Sequence, residues 1–484
     1  MRICIIGTGA AGWMTAHLLR EREDIDHVTI IGSPHIPTIG VGESTTATFP
    51  RFLHTLNRSG YDMFKLLVDI DAAAKYGVYY EGWSEESFLH AFVGGKHNND
   101  GGYLLGNLSK KENVNHYMMP LYDEIINKNS FNFDSRAQNY SFHFDANKFI
   151  SSIENFSKNL KDITHIKDTV IGCNKNKHNK EKIESLILEN SGEFKADYYI
   201  NCVGQTSFNE NIFGESYHDY SDVLLTDTAI FCPLLYKDKR REFHPYTIAR
   251  AMKYGWRWIT PTWSRIGTGY AFSSKYISIE EAKKELCNDI GDDTIEPFVT
   301  SFQPKRVNKV FKDNYCTIGM AAGFLEPLDA PGLTLSFNLV VFLNYLFEGN
   351  ITNEYANTLA KKDFDGWASF ILHQYKTSTR SDTQFWRDHR NVKFDCYDKI
   401  TEYLFEGYNN SYESIKVEPW MFYHTSAGKG HRWKVKGYNF KDKILRKNKP
   451  KKRSITKEEL PEELKEYMFN HFYFFQEIHK IYDN

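Results

Sequence analysis

The sequence predicts an α/β fold built on a parallel, Rossmann-like sheet, and two features near the N-terminus support that prediction. The glycine pattern Gly7-Thr8-Gly9-Ala10-Ala11-Gly12 follows an apolar, strand-like run and precedes an apolar helical pattern. A second apolar run at 28–31 predicts the next parallel strand, which completes a βαβ unit. The first glycine allows the tight turn, the second lets a pyrophosphate approach the backbone, and the third lets helix and strand pack closely. The phosphates of a dinucleotide would lie at the positive end of this helix.

Further elements follow along the chain. Residues 167–188 contain two β-rich runs around a charged turn, which predicts a hairpin. Residues 196–204 predict a buried strand that ends in a glycine turn, and residues 316–320 predict another strand. A helical pattern begins at Leu333 and continues to about residue 349, and the chain after residue 355 is predicted to be mainly helical.

Composition excludes several classes of protein. The 484 residues have a formal net charge of −2, which gives no indication of a nucleic-acid or anionic-membrane partner. Seven scattered cysteines without a C-x-x-C motif argue against a disulfide framework and against a zinc site, so no metal is expected. The most apolar stretch, 335–347, is too short to span a bilayer, and the first strand leaves no room for a signal peptide. We therefore expect a cytoplasmic protein.

Eight short segments occur in the same order as in one known family: Gly7–Gly12, 38–45, 74–77, 142–145, 255–261, 264–270, 318–328 and 380–386. Through these segments the chain resembles the flavin-dependent tryptophan halogenases, and the resemblance extends from residue 1 to about residue 390.

The resemblance implies a FAD-binding parallel sheet of the glutathione-reductase type, an antiparallel substrate-side sheet and a mainly helical C-terminal part. It suggests a halogenase module at 1–350, with insertions at about 85–140 and 210–310, and a helical part at 351–484 over the substrate side. The implied reactants are FAD as FADH2, O2, halide and a small aromatic substrate, and a separate NAD(P)H-dependent flavin reductase would supply the FADH2. A homo-oligomeric assembly stays open.

Lys75 corresponds to the catalytic lysine of the family. It stands among small apolar residues at 72–78, where the alternative is an exposed lysine at a strand edge. A buried ammonium can hydrogen-bond hypohalous acid formed at the flavin, or hold the halogen as a haloamine, and so present an electrophilic halogen to the substrate.

The resemblance also assigns residues to FAD. The cofactor-binding residues that it implies are those of the glycine motif, Gly7, Gly9, Ala10, Ala11 and Gly12, together with Ile39, Gly40, Val41, Gly42, Glu43, Val170, Met320 and Leu333. The second strand ends in Gly32-Ser33, where dinucleotide folds usually have an acid for the ribose hydroxyls. This departure predicts loose FAD binding, which suits an enzyme that receives FADH2 by diffusion.

Trp256, Trp258 and Pro261 match a family segment that separates flavin from substrate, with Thr260 where isoleucine is usual. Its bulk disfavours direct oxygenation of the substrate. The plain alternative is an amphipathic strand with two tryptophans on one face.

Asp329 stands where the family has a glutamate that assists loss of the ring proton, and a loop or helix-capping acid is the alternative. Pro331 and Gly332 correspond to the two residues whose backbone amides hold the halide. Because proline has no N–H, we expect the site to favour bromide or iodide over strongly hydrated chloride.

Two other functions are consistent with the same residues. One is a flavin monooxygenase of the same fold, against which the tryptophan segment argues. The other is a flavin-binding protein that has lost catalysis, which the changes at Gly32, Asp329 and Pro331 favour and which Lys75 opposes.

Overall fold

The computed structural model describes residues 1–36, 43–92, 140–406, 421–422, 425–426, 429 and 471–482. Most of the predicted insertion at 85–140 therefore lies outside the described residues, as do Ile39, Gly40, Val41 and Gly42.

The helices and strands of the described residues are numbered here in chain order. The strands are β1 Arg2–Ile6, β2 His27–Gly32, β3 Glu43–Ser44, β4 Ala73–Lys75, β5 Gly77–Glu81, β6 Phe88–Ala91, β7 Ser141–Phe144, β8 Ile163–Lys167, β9 Val170–Lys175, β10 Ile183–Leu188, β11 Gly192–Phe194, β12 Tyr198–Asn201, β13 Tyr217–Asp219, β14 Thr228–Leu234, β15 Thr247–Met252, β16 Gly255–Pro261, β17 Ile266–Phe272, β18 Phe298–Ser301, β19 Lys305–Val307, β20 Tyr315–Thr317 and β21 Gly323–Phe324. The α-helices are α1 Ala10–Leu19, α2 Phe49–Arg58, α3 Met63–Asp69, α4 Ala146–Ser157, α5 Ser207–Phe213, α6 Lys239–Glu242, α7 Ile279–Ile290, α8 Pro331–Phe347, α9 Asn353–Lys376, α10 Gln384–Asn391, α11 Asp395–Glu406 and α12 His471–Tyr482.

A five-stranded parallel sheet in the order β20-β12-β1-β2-β8 forms the first layer and contains the predicted βαβ unit. Between β1 and α1 the chain makes the predicted glycine turn. Gly7 has a positive φ of 110°, and a Cβ at Gly12 would lie 2.0 Å from the Gly7 carbonyl oxygen. Only glycine allows this close approach of helix to strand. The predicted βαβ unit and the hairpin of β9 and β10 are both confirmed.

A seven-stranded sheet in the order β18-β14-β17-β16-β15-β5-β6 forms a second layer, antiparallel except for the pair β5 and β15. A small antiparallel sheet, β3-β7-β4, ends at Lys75. After residue 350 the described residues form only helices among their regular elements, as the sequence predicts.

Two further observations concern the whole described chain. All seven cysteines are free thiols. Within the described ranges no helix is both long enough and apolar enough to cross a membrane.

The packing of β16 on β17 yields a prediction about stability. Trp258 pairs with Gly269, and a Cβ at Gly269 would lie 2.2 Å from the indole ring. Gly269→Ala should therefore lower the free energy of unfolding by about 1–3 kcal/mol, because the ring and backbone must shift. Urea denaturation measures the change.

The matched control is Gly172→Ala, at a strand glycine where the added Cβ would lie 3.7 Å from Ile187, an ordinary contact distance. Equal losses in the two variants would contradict the proposed close packing of Trp258 on Gly269.

Candidate active site

Lys75 is the last residue of β4 and its side chain is fully buried. Its Nζ donates a hydrogen bond to Ser44 Oγ at 2.7 Å and lies 5.3 Å from the centre of the Phe92 ring. Burial lowers the pKa of Lys75 to about 7, and the negative charge of Asp329 offsets part of this effect. The alternative of an exposed strand-edge lysine is therefore wrong.

Asp329 lies directly before α8 and is buried. Tyr80 donates a hydrogen bond to Asp329 Oδ2 at 2.5 Å. Asp329 and Ala330 both have left-handed backbones, with φ of 60° and 56°. The N-cap of α8 is Ala330, so Asp329 is not the capping residue. The left-handed pair forms the turn that carries Asp329, and the charge of Asp329 acts on the Lys75 amine.

The predicted tryptophan segment is strand β16, in the seven-stranded sheet. Trp256 and Trp258 are buried, and their rings lie 6.0 Å apart. Period-two alternation places both rings on one face of the strand. An amphipathic strand and a segment that separates flavin from substrate are thus compatible interpretations of the same residues.

Glu326 is a buried acid to which the sequence analysis assigned no role. It accepts hydrogen bonds from Thr226 (2.5 Å), Trp256 Nε1 (3.2 Å) and Tyr375 (2.9 Å). Burial raises the pKa of Glu326 to about 7. Glu326 holds the Trp256 ring through its indole N–H, and the three donors to Glu326 come from distant parts of the chain. The only signal in the sequence was an acid inside an apolar motif.

Lys429 is a second buried lysine that the sequence analysis missed. Its Nζ donates to Gln374 at 2.6 Å and Thr377 at 3.1 Å, and it lies 5.5 Å from the centre of the Tyr80 ring. Burial lowers the pKa of Lys429 well below its usual value. This amine is therefore part of the surroundings of Tyr80 and Asp329.

The start of α1 fits the pyrophosphate of FAD. Among the described residues, a Cβ at Gly9 would meet no atom within 4 Å and no side chain caps the helix. No described side chain therefore satisfies the first N–H groups of α1, which is the arrangement that an anion-binding helix start requires. Gly32 packs against Thr8, since a Cβ there would lie 2.4 Å from the threonine side chain. Ser33 Oγ is hydrogen-bonded to Thr169 at 2.9 Å.

The other residues assigned to FAD differ in their surroundings. Met320 is 46% exposed, which suits a surface that a flavin covers, and Leu333 is partly buried in the first turn of α8. Val170 is buried in a hydrophobic cluster behind the parallel sheet. Glu43 is in β3, paired with Phe144.

Pro331 and Gly332 begin α8, with Pro331 in its first turn. Pro331 is buried, whereas Gly332 is exposed and a Cβ there would meet nothing within 4 Å. The open Gly332 N–H remains a backbone donor at this helix start, and Pro331 provides none.

Comparison with known proteins adds independent findings. A family model described as tryptophan halogenase matches residues 2–427. Tryptophan 7-halogenase RebH of Lentzea aerocolonigenes is 27% identical over 428 residues, covering 81% of this chain and 79% of that protein. Tryptophan 6-halogenase SttH of Streptomyces toxytricini is 26% identical over 426 residues, covering 80% of each. The structure of a tryptophan halogenase from Shewanella frigidimarina matches with a TM-score of 0.79 and 24% identity, covering 100% of this chain and 95% of that one. The predicted fold class is confirmed.

The buried amine makes stability depend on pH. The pKa of Lys75 is about 7 in the folded chain and about 10.4 when unfolded. Between these values the unfolded state holds more protons, so the destabilisation is full below pH 7 and disappears as the pH rises towards 10. Lys75→Met should therefore stabilise the protein at pH 6, by on the order of 1–4 kcal/mol, and much less at pH 10.

Urea unfolding at the two pH values measures this difference. Lys65→Met is the control, because Lys65 is 51% exposed and pairs with Asp69 on the surface of α3. A gain from Lys75→Met that is the same at both pH values would contradict the lowered pKa.

Proposed function

Because this chain belongs to the tryptophan halogenase family, whose model matches residues 2–427, we propose that Lys75 delivers oxidised halogen to an electron-rich aromatic substrate. The class predicted from the sequence is confirmed: the protein is a flavin-dependent halogenase that uses FAD as FADH2. The roles of individual residues, the halide and the substrate are the proposal that follows.

The single observation that supports the role of Lys75 is its complete burial, with a pKa of about 7. When held at the glycine turn before α1, FADH2 would supply hypohalous acid from O2 and halide. The neutral amine of Lys75 attacks the halogen, so the nitrogen–halogen bond forms, the oxygen–halogen bond breaks and water leaves. The ammonium form instead donates a hydrogen bond to hypohalous acid and polarises it. An exposed lysine would be protonated and hydrated at neutral pH, and could do neither efficiently.

Asp329 is assigned as the base for the last step. When the aromatic ring takes the halogen, the ring carbon still holds a proton, and its loss restores aromaticity. The hydrogen bond from Tyr80 holds the carboxylate in one orientation, as a general base requires. Aspartate reaches one methylene less far than glutamate, so the substrate ring must lie closer to α8.

Strand β16 is proposed to separate the two reactants. The buried rings of Trp256 and Trp258 supply bulk, and Glu326 holds Trp256 in place through the indole N–H. Oxidised halogen is small enough to pass such a barrier, but an aromatic substrate is not. This arrangement favours halogenation over direct oxygenation of an electron-rich aromatic substrate.

The supply of FADH2 is assigned to a separate NAD(P)H-dependent flavin reductase. No acid follows β2 at the position that usually binds the ribose, and the Ser33 hydroxyl is already hydrogen-bonded to Thr169. FAD is therefore expected to bind loosely enough to exchange with solution.

The substitution of Lys75 tests the proposed function. Lys75→Ala should reduce halogenation at least about a thousandfold, because it removes the group that carries the halogen. The assay contains FAD, a flavin reductase, NADH, O2 and bromide, with a panel of indoles and phenols, and mass spectrometry detects the products.

Lys65→Ala is the matched control, since Lys65 is exposed on α3 and has no role in the proposed reaction. Undiminished halogenation by Lys75→Ala would contradict the assignment of halogen delivery to Lys75. Oxygenated products without halogen in the unsubstituted enzyme would indicate the monooxygenase alternative.

The proline at the start of α8 yields a prediction about halide choice. The native enzyme should prefer bromide or iodide to chloride, because only Gly332 offers a backbone donor at this position. Pro331→Ala restores an N–H, and a hydrogen bond to a charged group contributes about 1.5 kcal/mol or more. Halide binding should become about tenfold tighter, with the larger gain for chloride.

Competition between chloride and bromide, read as the ratio of products, measures the effect. Pro50→Ala is the control, since Pro50 also stands in the first turn of a helix, α2. A clear preference of the native enzyme for chloride would overturn this assignment.

A further inference from the structure

A chain of hydrogen bonds links the amine of Lys75 to the end of β16. Lys75 Nζ donates to Ser44 Oγ at 2.7 Å, and Ser44 Oγ lies 3.0 Å from Thr247 Oγ1. Thr247 Oγ1 lies 2.7 Å from His143 Nε2, and His143 Nδ1 lies 3.0 Å from the Pro261 carbonyl oxygen. Lys75, His143 and Thr247 are all buried. Ser44, Thr247 and His143 are called the positioning chain below.

The register of the small sheet explains why these groups meet. Ser44 pairs with His143, and Ala73 pairs with the same histidine from the other side. Since side chains alternate between faces along a strand, Lys75 lies on the same face as Ala73, Ser44 and His143. The first residue of β15, Thr247, completes the chain from the neighbouring sheet.

Elementary chemistry fixes the direction of every bond. A carbonyl oxygen only accepts, so His143 donates through Nδ1–H to Pro261 and its Nε2 has a free electron pair. Thr247 must therefore donate its hydroxyl proton to His143. Ser44 in turn donates to Thr247, and its oxygen remains as an acceptor for Lys75.

The histidine stays neutral while the lysine titrates. Burial lowers the pKa of His143 well below its usual value, and the charge of Lys75 lowers it further. His244 and His471 also face it, and burial lowers the pKa of His244 to about 4 and that of His471 to about 3. Near neutral pH, His143 therefore does not take up the proton of Lys75, and the hydrogen bonds of the positioning chain keep their direction.

We propose that Ser44, Thr247 and His143 are positioning residues that hold one N–H of Lys75 on a fixed acceptor and direct the rest of the amine towards the halogen. This proposal rests on the proposed role of Lys75 in halogen transfer. The far end of the chain is the carbonyl of Pro261 at the end of β16, so the position of the amine is tied to the strand that bears both tryptophans.

The test interrupts the positioning chain at Thr247, its middle residue. Thr247→Val has nearly the same shape and suits a strand, but it cannot bond to Ser44 or His143. The Ser44 hydroxyl is then free to donate to the neutral amine, which favours the neutral form. We expect the pKa of Lys75 to fall by about one unit, a tenfold change in the protonation ratio. Although more of the amine is then neutral, its electron pair accepts the Ser44 hydroxyl proton instead of facing the halogen, so kcat should fall about tenfold with little change in the KM of the aromatic substrate.

Carbon-13 NMR of protein labelled at the lysine Cε atoms follows the pKa, and the signal lost in Lys75→Met identifies Lys75. Thr247→Ser keeps the hydroxyl and is the matched control, so it should retain the native pKa and most of the native kcat. Ser44→Ala, which removes the direct acceptor, is the second interrupting variant and should also lower the pKa.

An unchanged pKa of Lys75 in Thr247→Val and Ser44→Ala would overturn the proposal. Equal losses in Thr247→Ser and Thr247→Val would also overturn it, because packing alone would then explain them. Full halogenation by Lys75→Ala would reject the proposed function instead, and the pKa comparison among the variants would still decide whether the chain positions the amine.

Discussion

The burial of one amine is the constraint that the surrounding elements must satisfy. Removing an ammonium from water costs several kcal/mol unless other groups replace the lost hydration. At Lys75 those groups are the Ser44 hydroxyl, the face of the Phe92 ring and the charge of Asp329. They come from β3, from the end of β6 and from the turn before α8, so the site exists only when these distant segments are folded together.

The turn before α8 shows how the fold accommodates strain at this place. A left-handed backbone costs roughly 1–2 kcal/mol for an ordinary residue, and the structure has two such residues in succession, Asp329 and Ala330. Aspartate tolerates this conformation better than alanine. The bond from Tyr80 and the hydrogen bond from the Ala330 N–H to the Pro327 carbonyl oppose the strain. The strained pair carries the carboxylate that Tyr80 holds and whose charge acts on the buried amine of Lys75.

The sequence predicts what depends on neighbouring residues and fails where distant residues meet. The glycine turn at Gly7–Gly12 and the hairpin of β9 and β10 follow from local patterns, and both are present. The predicted strand at 196–204 is shorter, Tyr198–Asn201, because only these residues pair with β1 and β20. The helix expected from Leu333 begins two residues earlier, because proline is well suited to a first turn.

The surroundings of the site residues could not be predicted in the same way. The burial of Lys75 followed from family motifs rather than from hydropathy, since any lysine is exposed by default. The bond between Tyr80 and Asp329 joins residues 249 positions apart. The three donors to Glu326 lie 49, 70 and 100 positions away from it, and the segment around Lys429 matched no pattern. Such contacts depend on the register of sheets and on helix packing, which local periodicity does not encode.

Burial moves the pKa of both Lys75 and Glu326 to about 7. Protonation has a different consequence at each of these two groups. Trp256 Nε1 can only donate, and with Tyr375 it bonds to Glu326 Oε1, while Thr226 bonds to Oε2. A proton on Glu326 is therefore accommodated on Oε2, where the threonine oxygen can accept it and Oε1 still holds the indole. Protonation of Glu326 leaves the tryptophan in place, whereas protonation of Lys75 removes the electron pair that the proposed haloamine route requires. The pH response of the chemistry near neutrality is accordingly assigned to the lysine and not to the buried glutamate.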